Sequence, residues 1–264
     1  MSIQDKIIAH YTKPDIADDI LSKAHARREG EPRDISVDDL ARFDQMHIGG
    51  HHATKRFFDE MGFAPDLKVL DIGSGLGGPA RLAAHHYNLH VSGIDLTPDY
   101  QKTAKRLSRA VGLHRQTDFI TGSALDLPFE DKSFDAAYMI HVGMNIEDKA
   151  TLYKQAARVL RLGGVFGIYD VFAENQAQAL PFPMPFPMPW AKTQESSFVV
   201  SKESAQSWLV EAGFEILNVY NRREEALEAI SKVIDAPETG PKLTNLHQAI
   251  EQGVCSPYEI FARR

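Results

Sequence analysis

From residue 68 onward, short apolar runs alternate with stretches whose apolar positions recur at helical spacing. The runs read as strands at 68–72, 90–95, 116–121, 134–140, 164–172, 214–221 and 256–263, and helical patterns fill 78–87, 98–111 and 147–160. Between 122 and 133 the pattern reads as loop, and a long helical stretch covers about 222–252. Strand–helix alternation of this kind predicts a parallel sheet covered on both faces. The expected fold is α/β, a doubly wound, mostly parallel seven-stranded sheet whose last two strands form a hairpin-like pair with one antiparallel member.

Ahead of this unit, residues 1–45 read as a charged helical extension. Ile7, Ile8 and Tyr11 share one face, Ile16, Ile20 and Leu21 another, and Leu40 and Phe43 follow the breaker "REGEPRD". A helix with Phe57, Phe58 and Met61 on one side then leads into the first strand. The division expected is an extension over 1–45 and a main domain over 46–264, with a proline-rich insertion at 180–198. No repeat of solenoid period is visible.

The sharpest local signal is "KVLDIGSGLGGPARLAAHHY", Lys68 to Tyr87. Its glycines lie on a strand-to-helix turn, where a missing Cβ lets a ligand approach the main chain and the next helix offers unsatisfied N–H groups. Gly73, Gly75 and Gly78 fit G-x-G-x-x-G, and Gly73, Gly75 and Gly77 equally fit G-x-G-x-G, so the glycines alone do not choose among nucleotide ligands. Asp95 closes the second strand, where a carboxylate can accept both hydroxyls of a ribose. An adenosine-containing ligand follows, with NAD still open at this point.

Composition narrows the partners. The chain has 264 residues, 43% apolar and 25% charged, which excludes disordered and fibrous classes. A net charge of −7, with no basic run interleaved with aromatics, argues against nucleic acid and for a small-molecule partner. The opening "MSIQDKIIAHY" lacks the regions of a secretory signal and no apolar run is long enough for a membrane span, so a cytoplasmic location is expected. The single Cys255 reads as a structural thiol at a strand start.

Taken together, "VLDIGSGLGG", "GIDLTP", "GSALDLPFEDKSFDAAYMIHV" and "ARVLRLGGVFGIYDV" resemble the class I S-adenosylmethionine-dependent methyltransferases over roughly Met46 to Asp170. Within that class the chain is similar to the small-molecule branch that includes sarcosine/dimethylglycine N-methyltransferases, tocopherol-type enzymes and quinone-biosynthesis C-methyltransferases. The resemblance implies S-adenosyl-L-methionine as cofactor. It places Asp71 beneath the methionine part, Gly73, Gly75 and Gly77 along the cofactor, Asp95 on the ribose, Leu96 against the adenine, and Gly122, Ser123 and Ala124 at the adenine edge. Relatives often carry an acid where this chain has Ser123. His141 would face both cofactor and acceptor.

Methyl transfer from a sulfonium asks the protein mainly for positioning, plus a base that takes the acceptor's proton. Histidine suits that task. His141 and His51 are the candidate catalytic residues, and His47, Asn145, Tyr169 and Trp190 the candidate substrate or lid residues. No metal site is expected, because adjacent His51 and His52 diverge on a helix and no H-x-x-x-H spacing appears. His85, His86 and His90 read as surface or packing residues. "ALPFPMPFPMPWAKTQESSF", Ala179 to Phe198, reads as an extended apolar lid, with a linker or a dimer contact as alternatives. Trp190 or a phenylalanine ring there could favour a cation by about 0.5–2 kcal/mol. The expected reaction is methylation of a glycine-, sarcosine- or dimethylglycine-like amine nitrogen. Carbon or oxygen methylation of a quinone or phenol is the alternative; an NAD-dependent oxidoreductase or a non-catalytic adenosyl-ligand binder is more distant. A homodimer is left open.

Overall fold

The computed structural model describes residues 3–11, 16–26, 34–174, 184–234 and 240–264. Seven strands form one sheet: β1 (Lys68–Ile72), β2 (His90–Asp95), β3 (Thr117–Thr121), β4 (Phe134–Ile140), β5 (Leu160–Ala173), β6 (Glu215–Asn221) and β7 (Cys255–Arg263), in the order β3-β2-β1-β4-β5-β7-β6. Pairings from β3 through β5 are parallel, while β7 runs antiparallel to both β5 and β6. The chain winds outward from β1 to β3 and then jumps to β4 on the other side of β1. This reversal opens a crevice beyond the carboxyl ends of β1 and β4, where open α/β sheets hold their ligands.

Each face of the sheet is sealed by helices whose apolar stripes match it. On one face α4 (Gly50–Met61) and α5 (Gly78–Tyr87) bury Phe57, Phe58, Leu82 and Ala83 against Val69, Tyr138 and Phe261. On the other, α7 (Lys149–Val159) and α8 (Lys202–Glu211) bury Leu152, Tyr153 and Leu209 against Leu70, Ile72, Met139 and Phe166. The extension contains α1 (Ile3–Tyr11), α2 (Ile16–Ala26) and α3 (Val37–Asp44). Its Ile20, Ala24 and Leu40 pack with Leu76 of the glycine turn and with Tyr100 and Leu107 of α6 (Pro98–Ala110). None of the described helices is long and apolar enough to cross a membrane.

Two elements depart from the sequence reading. The fifth strand runs from Leu160 to Ala173 rather than 164 to 172: Leu160 pairs with Phe134 of β4 at its start, and Ala173 pairs with Cys255 of β7 at its end. The stretch 222–252 is two helices, α9 (Arg223–Ser231) and α10 (Pro241–Glu251), with Pro241 at the start of the second. Residues 235–239 lie outside the described residues. Cys255 is buried at the head of β7, its thiol pushed up to about 12 by burial, which keeps it protonated and unreactive.

The extension and the glycine turn are joined by one side chain. Arg81 of α5 is wholly buried, and its guanidinium donates to the Asp44 carboxylate at 2.7 Å, the Leu76 carbonyl at 2.6 Å, the Ala104 carbonyl at 3.2 Å and the Ser108 hydroxyl at 3.3 Å. Removing one partner of a buried ion pair leaves the other charge uncompensated, at a cost of about 3–5 kcal/mol. Asp44→Ala is therefore expected to lower the unfolding free energy by about that amount, measured by denaturant titration. A loss under about 1 kcal/mol, the value of a surface pair, would show that the guanidinium does not tie these elements together.

Candidate active site

The glycine turn is shaped by two close approaches. Gly73 adopts φ +75°, and a Cβ there would fall 2.3 Å from a Val142 side-chain carbon, so the turn lies directly against the residue that follows β4 and His141. Gly75 adopts φ +51°, and a Cβ there would meet nothing within 4 Å, leaving its side open. Both conformations are strained for side chains larger than glycine. The Gly73 and Ser74 amides donate to the Ile94 carbonyl at 2.8 and 3.0 Å, which binds the turn to the end of β2.

Asp95 completes that link. Its carboxylate accepts the Gly75 amide at 3.0 Å through Oδ2 and the Thr97 amide at 2.8 Å through Oδ1, so both oxygens are oriented while lone pairs remain for a ligand diol. Beneath the turn Asp71 is 2% exposed and its Oδ2 has no hydrogen-bond partner. Burial, reinforced by the charge of Asp95 and opposed by Tyr138, pushes its carboxyl up to about 8. Asp95 is also raised by burial. Half-buried Leu96 follows Asp95, and the Gly122 amide donates to the Asp95 carbonyl at 3.0 Å, which brings Ser123 and Ala124 beside the same strand end. Ser123 Oγ accepts the Leu125 amide at 3.1 Å, so its hydroxyl hydrogen is left free to donate.

A second cluster stands where β4 and β5 meet the entrance to α4. His141 has φ +55°, a left-handed conformation that costs a non-glycine residue about 1–3 kcal/mol. It is held there by its amide, which donates to the Tyr169 carbonyl at 2.7 Å. The ring centroids of His141 and Tyr169 lie 4.9 Å apart, those of His47 and His141 5.9 Å, and those of His47 and Tyr169 6.3 Å. The Tyr169 hydroxyl donates to the Ile48 carbonyl at 3.2 Å, which fixes the chain next to His47.

The hydrogen bonds assign the His47 tautomer. Its Nε2 lies 3.2 Å from the Gly50 carbonyl, which can only accept, and 2.8 Å from the Thr54 hydroxyl. Nε2 therefore carries the hydrogen, and Nδ1 is the proton-accepting atom. Burial lowers the His47 pKa to about 4 and holds His141 well below the ordinary histidine value, with His47 adding to the second shift. His141 Nε2 is buried with no partner. Both rings are neutral bases at neutral pH.

The remaining candidates take distinct places. Asn145 Nδ2 donates to the Tyr11 hydroxyl at 3.2 Å. Tyr11 feels both Asp95 and Asp170, and burial pushes its phenol up to about 12, so α1 brings a protonated hydroxyl to the edge of the crevice. Its apolar helical spacing in the sequence indicated packing alone. Asp170 accepts the Gly143 amide at 2.6 Å and the Val171 amide at 2.9 Å, and burial raises its carboxyl to about 6. Trp190 is 4% exposed, donates its indole N–H to Ser197 at 3.0 Å, and packs with Ile48, Met144, Met184 and Met188. The expected lid thus folds onto the His47 loop over residues 184–198, while 180–183 lie outside the described residues. His51 is placed elsewhere: its ring meets His52 and His86, and its Nε2 lies 3.9 Å from Asp38.

A glycine turn after β1, an acid closing β2 and a seven-stranded sheet with one antiparallel strand together define the class I S-adenosylmethionine-dependent methyltransferase fold. Residues 70–168 match the methyltransferase domain family. It is 39% identical over 112 residues to a sterol 24-C-methyltransferase of Aspergillus fumigatus, covering 42% of this chain and 29% of the relative. It is 28% identical over 193 residues to phosphoethanolamine N-methyltransferase 1 of Arabidopsis thaliana, covering 73% of this chain and 38% of the relative. The chain thus spans well under half the length of these relatives. Among solved structures, geranyl diphosphate C-methyltransferase of Streptomyces coelicolor, in complex with Mg2+, geranyl diphosphate and S-adenosyl-L-homocysteine, superposes with TM-score 0.78 at 17% identity, covering 100% of this chain and 98% of that one. At that identity the likeness is one of fold.

The tautomer and burial arguments have a direct readout. In a histidine-selective NMR titration, His47 is expected to stay neutral from pH 7 down to pH 5 and to protonate near 4. A midpoint near 6.5 would mean that water reaches the ring and that the cluster is open.

Proposed function

We propose that this chain transfers the methyl group of S-adenosyl-L-methionine to a small-molecule acceptor, with a neutral histidine taking the proton that the acceptor gives up. The observation that carries the reading is His141 Nε2, a buried ring nitrogen without a partner, on the residue whose neighbour Val142 packs against Gly73. The residue that bears this ring is thereby joined, through Val142, to the turn on which the cofactor would lie.

The residues present suit the cofactor. Asp95 offers an oriented carboxylate to the ribose hydroxyls, the open side of Gly75 leaves room along the turn, and the orphaned oxygen of Asp71 awaits a cationic donor. Three buried carboxyls around the crevice, Asp71, Asp95 and Asp170, all resist ionisation because of burial. A ligand bearing an ammonium and a sulfonium relieves that cost, since each positive charge favours the ionised carboxylates. When bound, S-adenosyl-L-methionine supplies an electrophilic methyl carbon on sulfur. The protein's part is to exclude water with α1 and the 184–198 segment, to orient the acceptor, and to accept its proton at the His141 ring or at His47 Nδ1.

The acceptor proposed is a carbon or nitrogen nucleophile on an apolar body. Ile48, Met144, Val171, Met184, Met188 and Trp190 make one apolar cluster beside Tyr169. Among the described residues, two cations near it are engaged: Arg56 donates to Glu259 at 2.7 Å, and Lys149 donates to the Phe198 carbonyl at 2.7 Å and to the Ile146 carbonyl. Neither is free to take the carboxylate of a glycine-type amine, which moves the reading away from free amino acids.

Incubation with S-adenosyl-L-methionine and a panel of apolar amines, prenylated or sterol-like alkenes, quinols and sarcosine, read by mass spectrometry, is expected to show a gain of one methyl group on an apolar acceptor. Exclusive methylation of sarcosine would overturn the acceptor class, and tight binding of NADH with none of S-adenosyl-L-homocysteine would overturn the reaction. With the active acceptor, His141→Asn, which tolerates the left-handed backbone, is expected to lower turnover by about 10²–10⁴-fold. Its S-adenosyl-L-homocysteine affinity should stay within a few-fold of the parent. Asp95→Ala should do the reverse, weakening the cofactor by about 10–100-fold through two lost charge-assisted hydrogen bonds.

A further inference from the structure

Away from the crevice, the junction of α3, α4 and α5 gathers side chains that methyl transfer does not use. Asp38 lies in the first turn of α3, His51 in the first turn of α4 and His86 in the last turn of α5. His86 Nε2 stands 3.6 Å and His51 Nε2 3.9 Å from the same Asp38 Oδ1, and one ligand atom from each residue lies within 4.8 Å of the others. Three separate elements supply the trio, so it exists only in the folded chain. That is also why no H-x-x-x-H spacing announced it. His51 and His52 diverge as adjacent helical residues must, and only His51 joins the group.

We propose that Asp38, His51 and His86 bind one divalent transition-metal ion of the zinc type, with water completing the coordination. Two imidazoles and a carboxylate are a borderline-soft donor set that suits zinc and its first-row neighbours, whereas magnesium and calcium prefer oxygen alone. Bonds of about 2.0–2.2 Å to such an ion put tetrahedral ligands about 3.3 Å apart. The separations from Asp38, 3.6 and 3.9 Å, exceed that value by about 0.3 and 0.6 Å, and the two imidazole nitrogens, within 4.8 Å of each other, come together by at most about 1.5 Å through side-chain rotation. Asp38 is the member free to make them, with its side chain 65% exposed against 27% for His51 and 34% for His86.

The site has a structural consequence independent of the proposed reaction. Farther along the same helix pair, Asp44 of α3 already grips Arg81 of α5. An ion on Asp38 and His86 is a second rivet between α3 and α5, and His51 extends it to α4, which begins directly after the His47 loop. Metal occupancy thus stiffens the scaffold on which both the glycine turn and the histidine cluster are mounted.

The test uses the full chain without an affinity tag, stripped with a chelator and titrated calorimetrically with Zn2+. One equivalent is expected to bind, and saturation at about a hundred times Kd should raise Tm by about 5–10 °C. His51→Gln and His86→Gln should each weaken binding by about a hundredfold or more, since even outer-shell losses cost 10–100-fold. Asp38→Asn, on an exposed side chain, gives the same comparison should a histidine variant fail to fold. Co2+ in place of Zn2+ should give a visible spectrum that these variants lose. No Tm response in the parent chain, or one-equivalent binding unchanged by all three substitutions, would overturn the proposal.

Discussion

The bond between the Asp95 carboxylate and the Gly75 amide is the constraint on which the site depends. A single acidic side chain at the end of β2 reaches across to the turn after β1 and also caps the entry to α6 through Thr97. Apart from it the glycine turn, which contributes no side chain beyond Ser74 and Leu76 over residues 73–78, is held by main-chain contacts, by Gln101 on the Ser74 hydroxyl and by Arg81 on the Leu76 carbonyl. Because Gly73 lies against Val142, the order imposed on the turn passes to the end of β4, and so to His141. The glycine turn and His141 are two ends of one connected path.

Electrostatics divides the crevice into two halves. On the side of β1 and β2, the buried carboxyls of Asp71 and Asp95 make a region that favours cations, and Asp170 near the end of β5 adds a third beside the other half. On the side of β4 and β5, His47 and His141 are kept neutral by the same burial, and Tyr11 and Tyr169 keep their protons. The segment 184–198 closes the second half with Met184, Met188 and Trp190, adding apolar surface and no charge to the shared cluster.

Features written in local sequence were legible. The apolar runs marked the strand positions because a parallel sheet buries both faces, and the glycines and Asp95 announced their own geometry. Features that depend on a distant partner were not. Leu160 opens β5 because it pairs with Phe134 of β4, and Ala173 closes it because it pairs with Cys255, some eighty residues away. Tyr11 looks like any apolar helix residue until α1 docks beside Asn145. His51 carried the same chemical promise as His47, but the turn at Gly49 and Gly50 sends the next helix toward α5. Trp190 had the composition of a ligand-facing ring, yet its indole nitrogen is occupied by Ser197.

The most direct measurement is a crystal structure of the chain with S-adenosyl-L-homocysteine. The account requires the ribose hydroxyls on Asp95, the amino group near Asp71 and the sulfur directed toward His141. Ligand bound elsewhere on the molecule, or a crevice left empty at saturating concentration, would contradict it.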